Sequence, residues 1–424
     1  MNSRLIWSFT VLARRIWFRA TLFSIAAVAT ALVAIVVTPY IPADLSTKIG
    51  ANSVDKILGI IASSMLTVTT FSLSTMVSAF SAATTNVTPR ATRLVMEDST
   101  TQNVLATFVG SFLFSLVGII ALTTGAYGEQ GRLVLFLVTI GVIVLIVVTL
   151  LRWIDHLSRL GRVTETTRRV EDATLKAVKA WQEAPNLGGR PLDGKDKIPG
   201  SRDTPFFSDR VGYVQHVDAG ALSKIADELE CEIVVTAIPG KLVSPGAPLG
   251  WLRIRCDLKV LEKVKACFTI EDVRSFDQDP RFGAAVLAEI ASRALSPAVN
   301  DPGTAIDVIS RTIRILHAWQ DGADHMKPDD IRHPRLRVAS IEVADLFDDL
   351  FTPIARDGAS LIEVGLLLQK AFAALAEFGP EYRKNAIRHS KDALDRAAAV
   401  MQVDTDLTLL RATAIARSNG GARS

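Results

Sequence analysis

Residues 63–85 read SSMLTVTTFSLSTMVSAFSAATT. Twelve of these side chains carry a hydroxyl, and the stretch contains no charge, no proline and no glycine. The remaining residues are almost all apolar, so the segment reads as a membrane helix with an unusual load of serine and threonine. Ser63, Thr67, Thr70, Ser74, Ser78 and Ser81 are separated by three or four residues at each step. That spacing keeps side chains on one face of a helix. At 1.5 Å per residue the stripe rises about 27 Å, close to the thickness of the bilayer's hydrocarbon core.

Three further stretches are long and apolar enough to cross a bilayer, which takes about 20 residues as a helix. The expected spans are about 17–38, 56–86, 103–127 and 132–153. A cleaved signal peptide is the rival for the first, but its small-x-small site, Ala29-Thr30-Ala31, lies inside the apolar run, which favours a retained span. The second run has no breaker from Lys56 to Thr88 and is long enough to project beyond the bilayer. The fourth is rich in Val and Ile all round and should face lipid, while Gly110, Ser115 and Gly118 in the third suggest a close helix contact.

Composition agrees with a hybrid protein. Of 424 residues, 49% are apolar and 21% charged, too greasy for an ordinary soluble chain and too charged for membrane throughout. A formal charge of +3, with no basic run interleaved with aromatics, argues against a nucleic-acid partner. Cys231, Cys256 and Cys267 are odd in number, lack CxxC spacing and fit a reducing compartment.

Lysine and arginine placement sets the orientation. Arg4, Arg14, Arg15 and Arg19 lie before or at the very start of the first span, Arg90 and Arg93 lie between the second and third, and Arg152, Arg159 and Arg162 lie at or beyond the end of the fourth. These segments are expected to face the cytoplasm, which leaves both termini and the whole second half on that side. Away from their ends, within two residues of which Arg19, Lys56, Arg132 and Arg152 lie, the apolar stretches hold no Asp, Glu, Lys, Arg or His. Proton-coupled transporters and voltage sensors place such groups in the membrane, so a passive channel is favoured over a pump.

Beyond the spans, residues 161–210 read as a charged helix and a Gly/Pro-rich mobile linker, and 211–270 as a small α/β unit built on GYVQHV, CEIVVTAI and the PGKLVSPGAPLGWLRIR turn and strand. That turn is read as a structural hairpin. Residues 271–424 read as helical, with helices expected near 343–356, 361–378, 380–401 and 405–417. DPRFGAAVLAEIASRAL and DPGTAIDVISRTIRIL both open on Asp-Pro, an N-cap followed by a proline at the first helical position. Arg281, Glu289, Arg293, Asn300 and Asp301 around this pair form either ordinary caps and surface ion pairs or a ligand or subunit contact. No Walker loop, dinucleotide fingerprint, HExxH or GxSxG is present, and neither enzymatic activity, nor a cofactor, nor a metal is expected.

The runs TTFSLSTMVSAFSAATTNVTPRATRLVMEDSTTQNVLATFVGSFLFSL, GYVQHVD, PGKLVSPGAPL and QDPRFGAAVLAEIASRALSPAVNDPGTAID together resemble the bacterial predicted-membrane-protein family called domain of unknown function 2254. The resemblance covers nearly the whole chain in matching order, and ALSPAVNDPGTA is its most specific part. It implies an integral membrane protein and transfers no reaction or ligand.

The expected architecture is therefore an integral membrane α-helical protein, with four transmembrane helices in 1–160 and a C-terminal cytoplasmic α/β domain that is mostly helical. It should sit in the bacterial inner membrane as a homo-oligomer. Two functions fit the stripe. Ser63, Thr67, Thr70, Ser74, Ser78 and Ser81 from several copies line a hydrated pore for small ions, gated or sensed by the cytoplasmic domain. Alternatively, they pack helices in a non-conducting scaffold or sensor.

Overall fold

The computed structural model describes Phe18, Thr21, Ser24, Ile25, Val28, Ala29 and Val33 near the N-terminus and residues 53–96, 98–124, 129–192, 199–200, 202–323 and 331–418. The chain divides into two compact units, with the boundary between Glu165 and Thr166. The fold is mostly helical, with some sheet.

Three described helices in the first unit are long and apolar enough to span a membrane. Helix α1 (Val54–Asn86) is one unbroken helix of 33 residues. A short α2 (Pro89–Met96) follows, with its proline at the first helical position. Helix α3 (Ser99–Thr123) starts four residues before the expected third span, because the Asp98 carboxylate caps it and accepts the Thr101 N–H at 3.0 Å. Helix α4 (Glu129–Arg159) completes the described set. The expected first span, 17–38, is described at seven positions, all helical, and as a whole lies outside the described residues.

Helix α3 packs against both α1 and α4. Leu58, Phe114, Ala121 and Leu135 form one buried cluster, and Ile61, Met65, Phe108, Ile146 and Trp153 a second. In a bilayer, apolar burial does not by itself drive helices together, so close packing carries the association. Gly118 provides it. A Cβ there would lie 3.0 Å from a Leu58 methyl and 3.7 Å from one of Leu135. Of the small residues expected to mark a helix contact, Gly118 sits where α1, α3 and α4 approach, and Gly110 and Ser115 are buried.

The second unit begins within α5 (Val163–Glu183) and contains two sheets. Strands β1 (Gly189–Pro191), β2 (Thr204–Phe207), β4 (Ile233–Val235), β6 (Pro248–Leu252) and β8 (His333–Val338) form a mixed sheet in the order β1-β8-β4-β6-β2. Pairings β1–β8 and β8–β4 are parallel, and β4–β6 and β6–β2 antiparallel. Strand β4, an Ile-Val-Val run buried at every residue, is central, as a strand covered on both faces should be. The second sheet, β5-β3-β7, is antiparallel and comprises β5 (Leu242–Val243), β3 (Gly212–Val217) and β7 (Phe268–Glu271). Helices α6 (Ala219–Glu228) and α7 (Leu258–Lys265) are capped by Asp218 and Asp257.

The turn read as a hairpin joins different sheets instead: β5 pairs with β3, whereas β6 inserts between β4 and β2. The 161–210 stretch holds α5 and two short strands, and β8 comes from within the region read as helical. That remainder comprises α8 (Pro280–Ala294), α9 (Pro302–Ala323), α10 (Val343–Asp357), α11 (Ile362–Leu375), α12 (Pro380–Val400) and α13 (Asp404–Ser418). The last four follow the expected helices closely. Phe347, Phe351 and Phe372 are buried together around His389, with ring centroids 5.6–6.2 Å from it.

Candidate functional site

Helix α1 turns Leu58, Ile61, Met65, Ser72 and Met76 inward, and all are buried. The opposite face carries the hydroxyl stripe. Ser63, Thr67, Thr70, Ser74, Ser78 and Ser81 are all exposed in the single chain. Exposed Leu66, Leu73 and Val77 run along one side of the stripe, and Ile60 and Phe71 along the other.

The hydroxyls have specific backbone partners. Ser63 donates to the Gly59 carbonyl, Thr67 to Ser63, Thr70 to Leu66 and Ser78 to Ser74, at 2.9–3.1 Å. These are i−4 bonds, which let an alcohol sit in a membrane helix without an unsatisfied proton. A hydroxyl has one proton and two lone pairs. Once the proton is committed inward, each of these four oxygens presents only acceptor capacity outward.

Helix α4 provides the contrast. Between residues 132 and 151 the exposed residues are Gly141 and aliphatic side chains, including Leu137, Ile140, Val144, Val147, Val148 and Leu151, while Thr149 is half-buried. Its Thr139 is buried and donates to Leu135 at 2.6 Å.

One end of this unit carries a polar cluster that sequence reading missed. His156 on the last turn of α4 lies 2.8 Å from the Asp98 carboxylate, and Thr101 bridges the two at 2.7 and 3.1 Å. Trp153, almost fully buried, stacks on the His156 ring with centroids 5.7 Å apart. The contact ties the start of α3 to the end of α4. It brings Arg90 and Arg93 of α2 to the same end as Arg152 and Arg159. The histidine partner of Asp98 lies far along the chain and leaves no local signal in the sequence.

In the second unit the Asp-Pro residues act mainly as architecture. Asp279 caps α8 through the Phe282 N–H at 3.0 Å and receives Arg274 in a two-pronged pair at 2.8 and 3.0 Å. Burial raises the Asp279 carboxyl above its usual range, outweighing the lowering effect of Arg274. Gly240, at φ +92°, passes so close that any Cβ would collide with this carboxylate. Arg281 pairs with Asp349 at 2.7 Å and with Asp345 at 3.1 Å, joining α8 to α10. Glu289 is half-buried on α8, as is Arg293, whose Nε is buried without a hydrogen-bond partner among the described residues. Asn300 is exposed in the left-handed region at φ +51°, and Asp301 caps α9 through Thr304 at 3.1 Å. The five residues therefore do not converge on one site: Arg281 faces α10, while Asn300 and Asp301 belong to the exposed α8–α9 turn.

A buried ion pair locks α5 to α9. Glu171 receives Arg314 at 2.6 Å and Arg311 at 2.5 Å. Burial pushes the Glu171 carboxyl up, but the two guanidiniums together outweigh it and hold the group below its ordinary value. Among the described residues no group of three or more His, Cys, Asp or Glu side chains is placed to hold a metal.

A family model described as predicted membrane protein (DUF2254) matches residues 13–374. The chain belongs to this family. It is similar to the uncharacterized protein Rv1290c of Mycobacterium tuberculosis and to the uncharacterized protein Mb1321c of Mycobacterium bovis. Each is 26% identical over 292 residues, covering 66% of this chain and 54% of the relative. The chain thus spans about half the length of the curated relatives it matches. No solved structure matches.

Proposed function

We propose that this family member is a channel-like protein of the bacterial inner membrane. Several copies place α1 around a shared axis, and Ser63, Thr67, Thr70, Ser74, Ser78 and Ser81 line a hydrated path for small ions. The carrying observation is the difference in chemistry between two equally uncovered helices. In the most apolar window of both α1 and α4, 22% of residues are buried, against 61% for α3, yet only α1 exposes a hydroxyl stripe. Lipid satisfies the aliphatic face of α4. The α1 face is better matched by water, with Leu66, Leu73 and Val77 on one flank and Ile60 and Phe71 on the other seated against neighbouring copies.

Because four of the stripe hydroxyls donate to their own helix, the lining offers lone pairs, and oxygen acceptors suit cations over anions. The chain is read as multi-pass with both termini cytoplasmic. The arginines of α2 and of the α4 end, held together through Asp98 and His156, support that orientation. The C-terminal unit then acts on the cytoplasmic side as the gate or sensor. No catalytic role is proposed.

The scaffold reading draws on the same i−4 bonds, since hydroxyls satisfied by their own backbone also tolerate a dry seam. Reconstitution in planar bilayers separates the two. The pore reading predicts conductance whose reversal potential in a salt gradient follows the cation, and its loss in Thr70→Leu/Ser74→Leu with the oligomer intact. Silence from an intact wild-type oligomer, or a double variant that disassembles, favours the scaffold.

A further inference from the structure

The C-terminal unit contains a cavity of about 310 Å³, at the small end of the range of small-molecule pockets. Five separate segments build it: the end of α5, the turn at 185–188, the last part of α9, the β8–α10 connection and the start of α12. Trp181, Trp319 and Tyr382 supply aromatic wall, each 9% exposed or less. The Tyr382 hydroxyl is committed to the Leu316 carbonyl at 3.1 Å, so that residue offers the cavity chiefly its ring.

The charge lining the cavity has one sign. Glu342 and Glu381 are exposed lining residues, and no Lys, Arg or His is among the described lining residues. The wall between them is held firmly. Asn186 and its neighbour Leu187 both sit in the left-handed region, at φ 50° and 58°. The Asn186 amide fixes this turn by donating to the Val338 carbonyl at 3.0 Å and to the Ser340 hydroxyl at 2.8 Å. Non-glycine residues pay for such backbone angles, and they persist where surrounding contacts over-determine them.

Aromatic faces attract cations through their quadrupole, most strongly for tryptophan, and nearby carboxylates add a field of the same preference. We propose that this cavity is a binding site for a small free alkylammonium ion. The cationic head packs against Trp181 and Trp319, and Glu342 and Glu381 provide the countercharge. An anionic ligand is disfavoured by both carboxylates, and a neutral one gains apolar contact with the rings but neither electrostatic contribution. The site stands apart from the pore reading, because its occupancy is measured by binding alone.

The test uses the full chain in a glycoside detergent, free of choline headgroups, with choline titrated calorimetrically across the millimolar range. Its uncharged carbon isostere, 3,3-dimethylbutanol, is titrated in parallel. The expected result is saturable choline binding at least about tenfold tighter than the isostere. Glu342→Gln/Glu381→Gln should weaken choline about threefold or more while leaving the isostere unchanged. Both side chains are exposed, and although Glu342 caps α10, glutamine keeps an acceptor oxygen for that cap, so the double variant retains the fold. Absence of saturable choline binding, equal affinity for the isostere, or an unchanged affinity in the double variant overturns the proposal.

Discussion

Helices α1 and α4 flank α3 and leave equal shares of their apolar windows uncovered, but they differ in what they show. Helix α4 buries Thr139, leaves Thr149 half-buried and exposes Val144, Val147 and Leu151. Helix α1 does the opposite, burying Leu58, Ile61 and Met65 and exposing six alcohols in line. Their inner faces solve one packing problem, so the outer faces report what each helix meets. An aliphatic face is at home in lipid, and a hydroxyl face with its protons turned inward is suited to water or to cations.

The comparison can be broken at its shared inner core first. Phe114→Ala removes a ring from the cluster joining α1, α3 and α4 and should cost about 3–5 kcal/mol in reversible unfolding in detergent. A much smaller loss would mean that the three helices do not pack as described. Gly118→Val forces side-chain atoms toward Leu58 and Leu135 and should destabilise by about 1–3 kcal/mol in the same assay. The outer faces should be far more tolerant. Val144→Ser/Val147→Ser and Thr70→Leu/Ser74→Leu should each change stability by only about 0.5–1 kcal/mol, while only the second alters conductance. Equal effects on conductance would erase the distinction between the helices. Smallest of all is Ser72→Ala. Ser72 is fully buried on the inner face of α1, and its hydroxyl has no hydrogen-bond partner among the described residues. Removing it should leave stability unchanged or raise it by up to about 1 kcal/mol, unlike loss of a satisfied hydroxyl.

Much of this was legible from local pattern. The expected second span differs from α1 by two residues at its start, because an uninterrupted apolar run without breakers specifies a helix by itself. The stripe was readable from spacing, and the Asp-Pro caps from residue type. What failed to show was long-range pairing. Strand β1 is the tripeptide Gly-Arg-Pro and finds its parallel partner in β8, beyond α9. Strand β8 itself reads HPRLRV, with arginines and a proline that mask a strand. The Thr101–His156 contact joins residues 55 apart, and the cavity draws its two tryptophans from α5 and α9. Neither leaves a local trace. Nor does spacing reveal which side of α1 is covered, since that follows from how closely α3 can approach at Gly118.

The central claim, that the outer face of α1 meets water while that of α4 meets lipid, is tested most directly by thiol accessibility in intact membranes. With Cys231, Cys256 and Cys267 replaced by alanine, Ser74→Cys and Val144→Cys are each exposed to a charged, membrane-impermeant thiol reagent. The account predicts rapid modification at position 74 and protection at position 144. Protection at both positions, in a chain that is folded and assembled, would contradict it.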